Sequence, residues 1–222
     1  MMNLILVKFN KINMYKFGLI TPEDEKKISE LDAQLKENPF NIDALLKKGF
    51  ILHDGAVDDE AIKVFKKIIE IDPQNEKGYV WLVESLWMLG DSNQLKDITE
   101  RAIKIFPNNG IFHLYLSYAL HVLFYADLKV HINNIIWHLR QAITLEPTLI
   151  SARIFLIECL LEDKKLDLAE LEINEAFKHI QENFPAPISE MDLHYETFMT
   201  RRYDSENTKV ALSNFLKHIN EK

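Results

Sequence analysis

An all-α fold, built as a solenoid of stacked helix pairs, is predicted for this 222-residue chain by three observations. Six Gly and seven Pro are few for the length, and Leu, Ile, Lys and Glu dominate, which favours helices over turn-rich strand patterns. Prolines recur at an interval: Pro39, Pro73 and Pro107 stand 34 residues apart, and Pro147 follows after 40. Similar helix endings precede three of them, "KVFKKIIEIDP", "RAIKIFP" and "RQAITLEP".

In chain order, residues 1–20 read as an extension whose apolar run, Leu4 to Val7, stops at Lys8. Four residues are too few for a signal-peptide core, and no small-residue cleavage site follows, so a cytoplasmic protein is expected, with Met14 an alternative start. Residues 21–41 form a capping helix: Thr21 is the N-cap, Pro22 sits in the first turn, and Glu23 and Asp24 complement the positive end of the dipole.

Four helix pairs then fill 42–75, 76–109, 110–149 and 150–183. In the first, Leu45, Gly49 and Leu52 mark one stripe of helix A, Gly55 makes the break, Asp58 and Asp59 open helix B, and Pro73 ends it. The second places Tyr79, Leu82, Leu86 and Gly90 alike, and the fourth Leu156, Leu160, Ala169 and Ala176. The third carries six extra residues around "HVLFYADLKVHINN" (121–134). These are expected to lengthen both helices by less than a turn each, with Phe124 and Tyr125 packed between; a functional loop is the other reading. Residues 184–222 supply two capping helices, 188–202 and 205–219, the last with one apolar stripe through Leu212, Phe215 and Ile219. The expected total is about eleven helices and no strand.

Two periodic tracks join the pairs. Ile68, Ala102, Ala142 and Ala176 recur at 34, 40 and 34 residues, and Ala61, Leu95, Ile135 and Ala169 run seven residues ahead, two turns along the same face. Such positions must meet a close neighbour. Each pair has an apolar face that it cannot bury alone, and stacking buries these faces in one core.

The 34-residue helix-turn-helix period, with small residues in helix B and a closing Pro, resembles the tetratricopeptide repeat over about 42–183. The resemblance implies a right-handed stack with helix A lining a concave groove. The chain departs from the pattern at Gln181, where Pro is expected, and at Val83, Ser117 and Ile157, which replace the small residue present at Gly49. Looser or shifted packing between paired helices is expected there.

By the same resemblance, the groove positions include Leu46 and Phe50 in the first repeat and Val80, Trp81, Glu84 and Trp87 in the second. The third contributes Leu114, Tyr115 and Tyr118, and the fourth Ile154, Phe155 and Glu158. A subset of the family grips a chaperone's terminal carboxylate with Lys, Asn and Arg; here those places hold Leu46, Phe50, Trp81, Ile111 and Tyr115, so that clamp is missing. An aromatic and aliphatic groove flanked by Glu158 and Glu162 suits a partner segment with large apolar anchors and basic charge. If it is open, Trp81, Tyr115 and Phe155 should be partly accessible. The alternatives are a groove filled by the chain's own extra helices or its "LILVKF" segment, or a homodimer through the concave face.

Composition narrows the partners. A formal net charge of -8 argues against phosphate-backbone affinity, and Arg201 and Arg202 are the only adjacent arginines, so no nucleic acid is expected. No run approaches the roughly 20 apolar residues that span a bilayer, so no membrane partner is expected either. Cys159 is the single cysteine, set in an apolar helix, and reads as core. No metal or cofactor is expected: His131 and His138 stand seven apart, and "HDG" at 53–55 marks a helix end. Paired carboxylates such as Asp58 with Asp59 read as solvated helix starts. No phosphate loop or nucleophile elbow occurs. The expected function is therefore a non-catalytic protein-binding scaffold, acting as adaptor, chaperone or inhibitor; the alternative is an enzyme or regulator that uses the solenoid to bind a small ligand or position a catalytic partner.

Overall fold

The computed structural model describes residues 20–182, and among them the regular elements are nine α-helices and one 3-10 turn, with no strand. The expected helices at 188–202 and 205–219 lie outside the described residues. The chain divides between Phe106 and Pro107 into two compact units. The first holds α1 (Pro22–Glu37), α2 (Ile42–Asp54), α3 (Asp58–Ile71), α4 (Glu76–Leu89) and α5 (Ser92–Ile105). The second holds α6 (Gly110–Leu123), a 3-10 turn (Tyr125–Asp127), α7 (Leu128–Leu145), α8 (Ile150–Glu162) and α9 (Leu166–Glu182).

Helix ends follow local chemistry. Thr21 closes a capping box on α1: its hydroxyl accepts from the Asp24 amide at 3.2 Å, and the Asp24 carboxylate accepts from the Thr21 amide at 3.1 Å. Hydrogen bonding to Thr21 lowers the Asp24 pKa. α3, α5 and α7 each stop just before Pro73, Pro107 or Pro147, because the residue ahead of proline is pushed out of the helical region. Two residues beyond the proline stands an asparagine in three cases. Asn41, Asn75 and Asn109 cap α2, α4 and α6 through side-chain oxygens that accept backbone amides at 3.1, 2.9 and 2.9 Å. Leu149 takes this place before α8, which has no side-chain cap.

Both tracks are core. Ala61, Leu95, Ile135 and Ala169, and Ile68, Ala102, Ala142 and Ala176, are all at 0 % exposure. Polar ties join the helices around them. Lys48 on α2 donates to Asp32 on α1, and Lys66 on α3 donates to Gln94 on α5. In the second unit Arg153 on α8 pairs with Glu172 on α9 at 3.7 Å.

Three expectations meet the structure. First, Gly55 ends α2 as expected, with φ -80°, and the positive φ, 57°, falls to Ala56 behind it. Ala56, Gly90 (φ 81°) and Lys164 (φ 59°) occupy the same place in the first, second and fourth pairs, and only one of them is a glycine.

Second, the positions on helix A where looser or shifted packing is expected all stay out of solvent. A Cβ at Gly49 would lie 2.5 Å from the Phe65 ring, so glycine there makes room for a large partner residue. The positions equivalent to Gly49, namely Val83, Ser117 and Ile157, are all buried, and those equivalent to Phe65 are Thr99, Leu139 and Ile173. In the second and third pairs, bulk gained on helix A is matched by bulk lost on helix B, as a close-packed interior requires.

Third, the insertion leaves helix A unchanged. α6 has 14 residues, like α4; the extra residues form the 3-10 turn and extend α7 to 18 residues. Phe124 stacks on His131 with ring centroids 4.0 Å apart, whereas Tyr125 is exposed and does not pack between the helices.

Candidate functional site

In the first unit, the helix-A face combines α2 and α4. Residues 78–86 of α4 are buried without a break, so this helix is covered on all sides rather than along one stripe. Trp81 is the centre of the face. Its ring meets Phe50 edge-on at 5.2 Å, His53 at 5.5 Å and Phe65 in a stacked arrangement at 6.5 Å. Val80 is 2 %, Trp81 8 % and Glu84 1 % exposed, while Leu46, Phe50 and Trp87 are half-buried.

Beneath these rings lies a polar cluster that the sequence does not announce. Asp58 is buried rather than solvated, and its carboxylate lies 2.6 Å from His53 Nδ1; the Ser85 hydroxyl lies 3.0 Å from the same nitrogen. The three residue types are those of a hydrolytic triad, but the geometry is different. A relay needs the carboxylate on one ring nitrogen and the serine on the other, whereas here both address Nδ1. The cluster ties the end of α2 to the start of α3 and to the middle of α4. A five-residue spacing from His53 to Asp58 across a tight turn was the available signal.

In the second unit, the face combines α6 and α8. Leu114, Tyr115 and Ile154 are each 1 % exposed, and Tyr118 and Phe155 are each 7 %. The rings run in a chain: Tyr115 to Tyr118 at 5.7 Å, Tyr118 to Phe155 at 4.8 Å and Phe155 to His121 at 5.2 Å. His121 Nε2 lies 3.1 Å from the Glu162 carboxylate. Glu158 is half-buried, and desolvation by the surrounding protein, with the nearby charge of Glu162 adding to it, pushes its pKa up to about 8. Burial likewise raises the Cys159 thiol well above its ordinary value, so this residue is an inert core thiol.

The predicted residues thus gather on two faces, Leu46, Phe50, Val80, Trp81, Glu84 and Trp87 on one and Leu114, Tyr115, Tyr118, Ile154, Phe155 and Glu158 on the other. The expectation of partly accessible rings at Trp81, Tyr115 and Phe155 is corrected: at 8 %, 1 % and 7 % exposure all three are shielded in the chain itself. Among the described residues no group of three or more His, Cys, Asp or Glu could hold a metal ion. His131 stacks on Phe124, while His138 meets His113, whose pKa burial lowers, with Nδ1 atoms 2.9 Å apart. No single helix among them is long and apolar enough to cross a membrane.

Comparison with known proteins gives the class. No known family profile matches the chain. One curated protein, the peroxisomal targeting signal receptor of Saccharomyces cerevisiae, is 31% identical over 71 residues, which are 30% of this chain and 12% of the receptor. The chain therefore spans a small part of that relative. Three solved structures align with much of the chain. MamA from Desulfovibrio magneticus is 14% identical over 72% of this chain and 88% of its own, with a TM-score of 0.61. A tetratricopeptide-repeat protein from Thermus thermophilus, TTC0263, is 20% identical over 79% and 88%, at 0.56. YrrB, described as a tetratricopeptide-repeat protein with an unusual peptide-binding site, is 16% identical over 86% and 91%, at 0.56. At these identities the likeness defines the fold: an all-α tetratricopeptide-repeat solenoid.

Proposed function

We propose that the chain is a non-catalytic scaffold whose helix-A faces bind a segment of a partner protein with large apolar anchors and basic side chains. The observation that carries this reading is the gathering of the groove positions on two helix-A faces rich in aromatic residues, with the half-buried Glu158 one turn along the helix from Phe155 and the charge of Glu162 close to it. Burial and the charge of Glu162 hold the Glu158 proton in the free chain, and a cation that arrives with its own apolar flanks would favour the ionised form and so gain from this carboxyl. The repeat fold supports the reading in general terms, because YrrB carries a peptide-binding site on the same scaffold. A cytoplasmic adaptor, or a chaperone holding an apolar segment, would use such faces in this way, and inhibition of a basic partner is a variant of the same chemistry.

The test is selection from a random displayed-peptide library on the immobilised full chain. Enrichment of peptides that combine at least two large apolar residues with Lys or Arg is expected, with the basic preference reduced in Glu158→Gln. Enrichment of acidic peptides, or a preference unchanged by the substitution, would overturn the proposal.

A further inference from the structure

We propose that the insertion of the third pair is a recognition element: Tyr125, which it contributes, and Glu162 on α8 together hold an arginine side chain of the partner segment bound at the α6/α8 face. This deepens the scaffold reading and rests on it.

The insertion turns one ring inward and the next outward. Phe124 ends α6, where its amide donates to the Leu120 carbonyl, and its ring stacks on His131 of α7 at 4.0 Å. The Asp127 amide donates to the Phe124 carbonyl and closes the 3-10 turn. With the turn pinned at Phe124, Tyr125 stands 48 % exposed, and Val122, one turn earlier, 45 %.

Tyr125 belongs to the face already described. Its ring meets His121 at 6.1 Å, and His121 meets Phe155 at 5.2 Å, so Tyr125 is the accessible end of the ring chain that runs back through Tyr118 to Tyr115. The inner rings of that chain are core in the free protein. A partner can reach the outer end without unfolding the face.

Charge selects the occupant. Glu162 Oε2 lies 3.1 Å from His121 Nε2, and the Glu162 side chain is 38 % exposed. Because ring and carboxylate meet the same imidazole, the carboxylate stands at most about 10 Å from the Tyr125 ring centre. A cation about 6 Å from the ring and about 4 Å from the carboxylate spans that gap. Glu158 stands one turn back on α8, where burial first and the Glu162 charge second raise its pKa, so two carboxyls share this edge. Lys165, just beyond α8, is paired with Asp163 at 2.7 Å. A guanidinium fits the two partners better than an ammonium, because it is planar and weakly hydrated and stacks on a ring while its N–H groups donate to a carboxylate.

The probes are synthetic pools of short peptides, random except for a central Arg, Lys or Glu, passed over the immobilised full chain, with retained peptide measured by mass spectrometry. The Arg pool should be retained roughly threefold or more over the Lys pool. Tyr125→Ala and Glu162→Gln, with helical circular dichroism kept, should each bring that ratio to about one, and Tyr125→Phe should preserve it. A ratio unchanged in either folded variant overturns the proposal; should one variant fail to fold, the other decides. Equal retention of the Arg and Lys pools by the parent, both above the Glu pool, removes this inference and leaves the scaffold reading standing. Retention of the Glu pool above the other two removes both.

Discussion

Replacing Glu158 with Gln should make the protein more stable at alkaline pH and remove part of its pH dependence. In the folded chain the Glu158 pKa is about 8, against an ordinary value of 4.5, mainly through burial and secondarily through the charge of Glu162. The folded state therefore holds a proton that the unfolded state has released at any pH between these values. Since the slope of unfolding free energy with pH follows protons bound in the unfolded minus the folded state, the contribution of Glu158 is negative there. It costs nothing below about pH 4.5, grows through neutrality and levels off above about pH 8. The gap between 4.5 and about 8, at about 1.4 kcal/mol for each tenfold change in proton affinity, sets a ceiling of about 5 kcal/mol. The side chain keeps part of its surface in contact with solvent, so we expect on the order of 1 to 3 kcal/mol. Gln mimics the protonated acid and has no titration. Urea unfolding followed by circular dichroism at pH 5, 7 and 9 should show the variant matching the parent at pH 5 and exceeding it by that amount at pH 9. Parallel pH profiles for the two proteins would refute the argument and would mean that Glu158 ionises in the fold at ordinary cost.

Other outcomes follow from the packing and turns. Ala102→Leu or Ala169→Leu should overpack the helix pair and cost about 1 to 3 kcal/mol, read as a lowered thermal midpoint; an unchanged midpoint would contradict their 0 % exposure. Ala56→Gly and Lys164→Gly should each stabilise by up to about 1 kcal/mol, because both residues are held at positive φ, and Gly90→Ala should cost a similar amount. Binding of a basic partner should associate more slowly as salt rises while dissociation changes less, given the net charge of -8; a salt-independent on-rate in stopped-flow measurements would reject steering.

The fold was legible because it is written redundantly. Proline spacing, small-residue tracks and helical periodicity each repeat several times, so an error at one site leaves the period intact. The eight track residues at 0 % exposure are the physical reason for the repetition, since only small or well-fitted side chains sit where helices stack. What stayed hidden was conformational detail that depends on a single neighbour. Gly55 reads as the break after helix A and does end that helix, with Ile20 in the space a Cβ would enter, yet the positive φ falls to Ala56, a residue whose type does not announce it. The asparagines two residues after Pro39, Pro73 and Pro107 were in plain view as caps, and their period matches that of the prolines.

At the candidate site, helical phase says which side chains point to the inner face, and it groups Trp81 with Phe50 and Phe155 with Tyr118. It does not say what covers them. Trp81, Tyr115 and Phe155 at 8 %, 1 % and 7 % exposure behave as core in the isolated chain, so truncating any of them to Ala should cost about 3 to 5 kcal/mol in stability before any effect on binding can be read. Glu158 separates the two roles. A face built only for internal packing bears the desolvation of this half-buried carboxyl without return, whereas a face that receives a cationic segment recovers that cost on binding. The same substitution therefore reads out differently in the two cases. Glu158→Leu should stabilise the free chain in either case, since an apolar group replaces a carboxyl that burial disfavours in its charged form, but only if the face receives a cation should it also weaken binding of an apolar-basic peptide, measured by calorimetry; stabilisation with unchanged peptide affinity would assign Glu158 to packing alone.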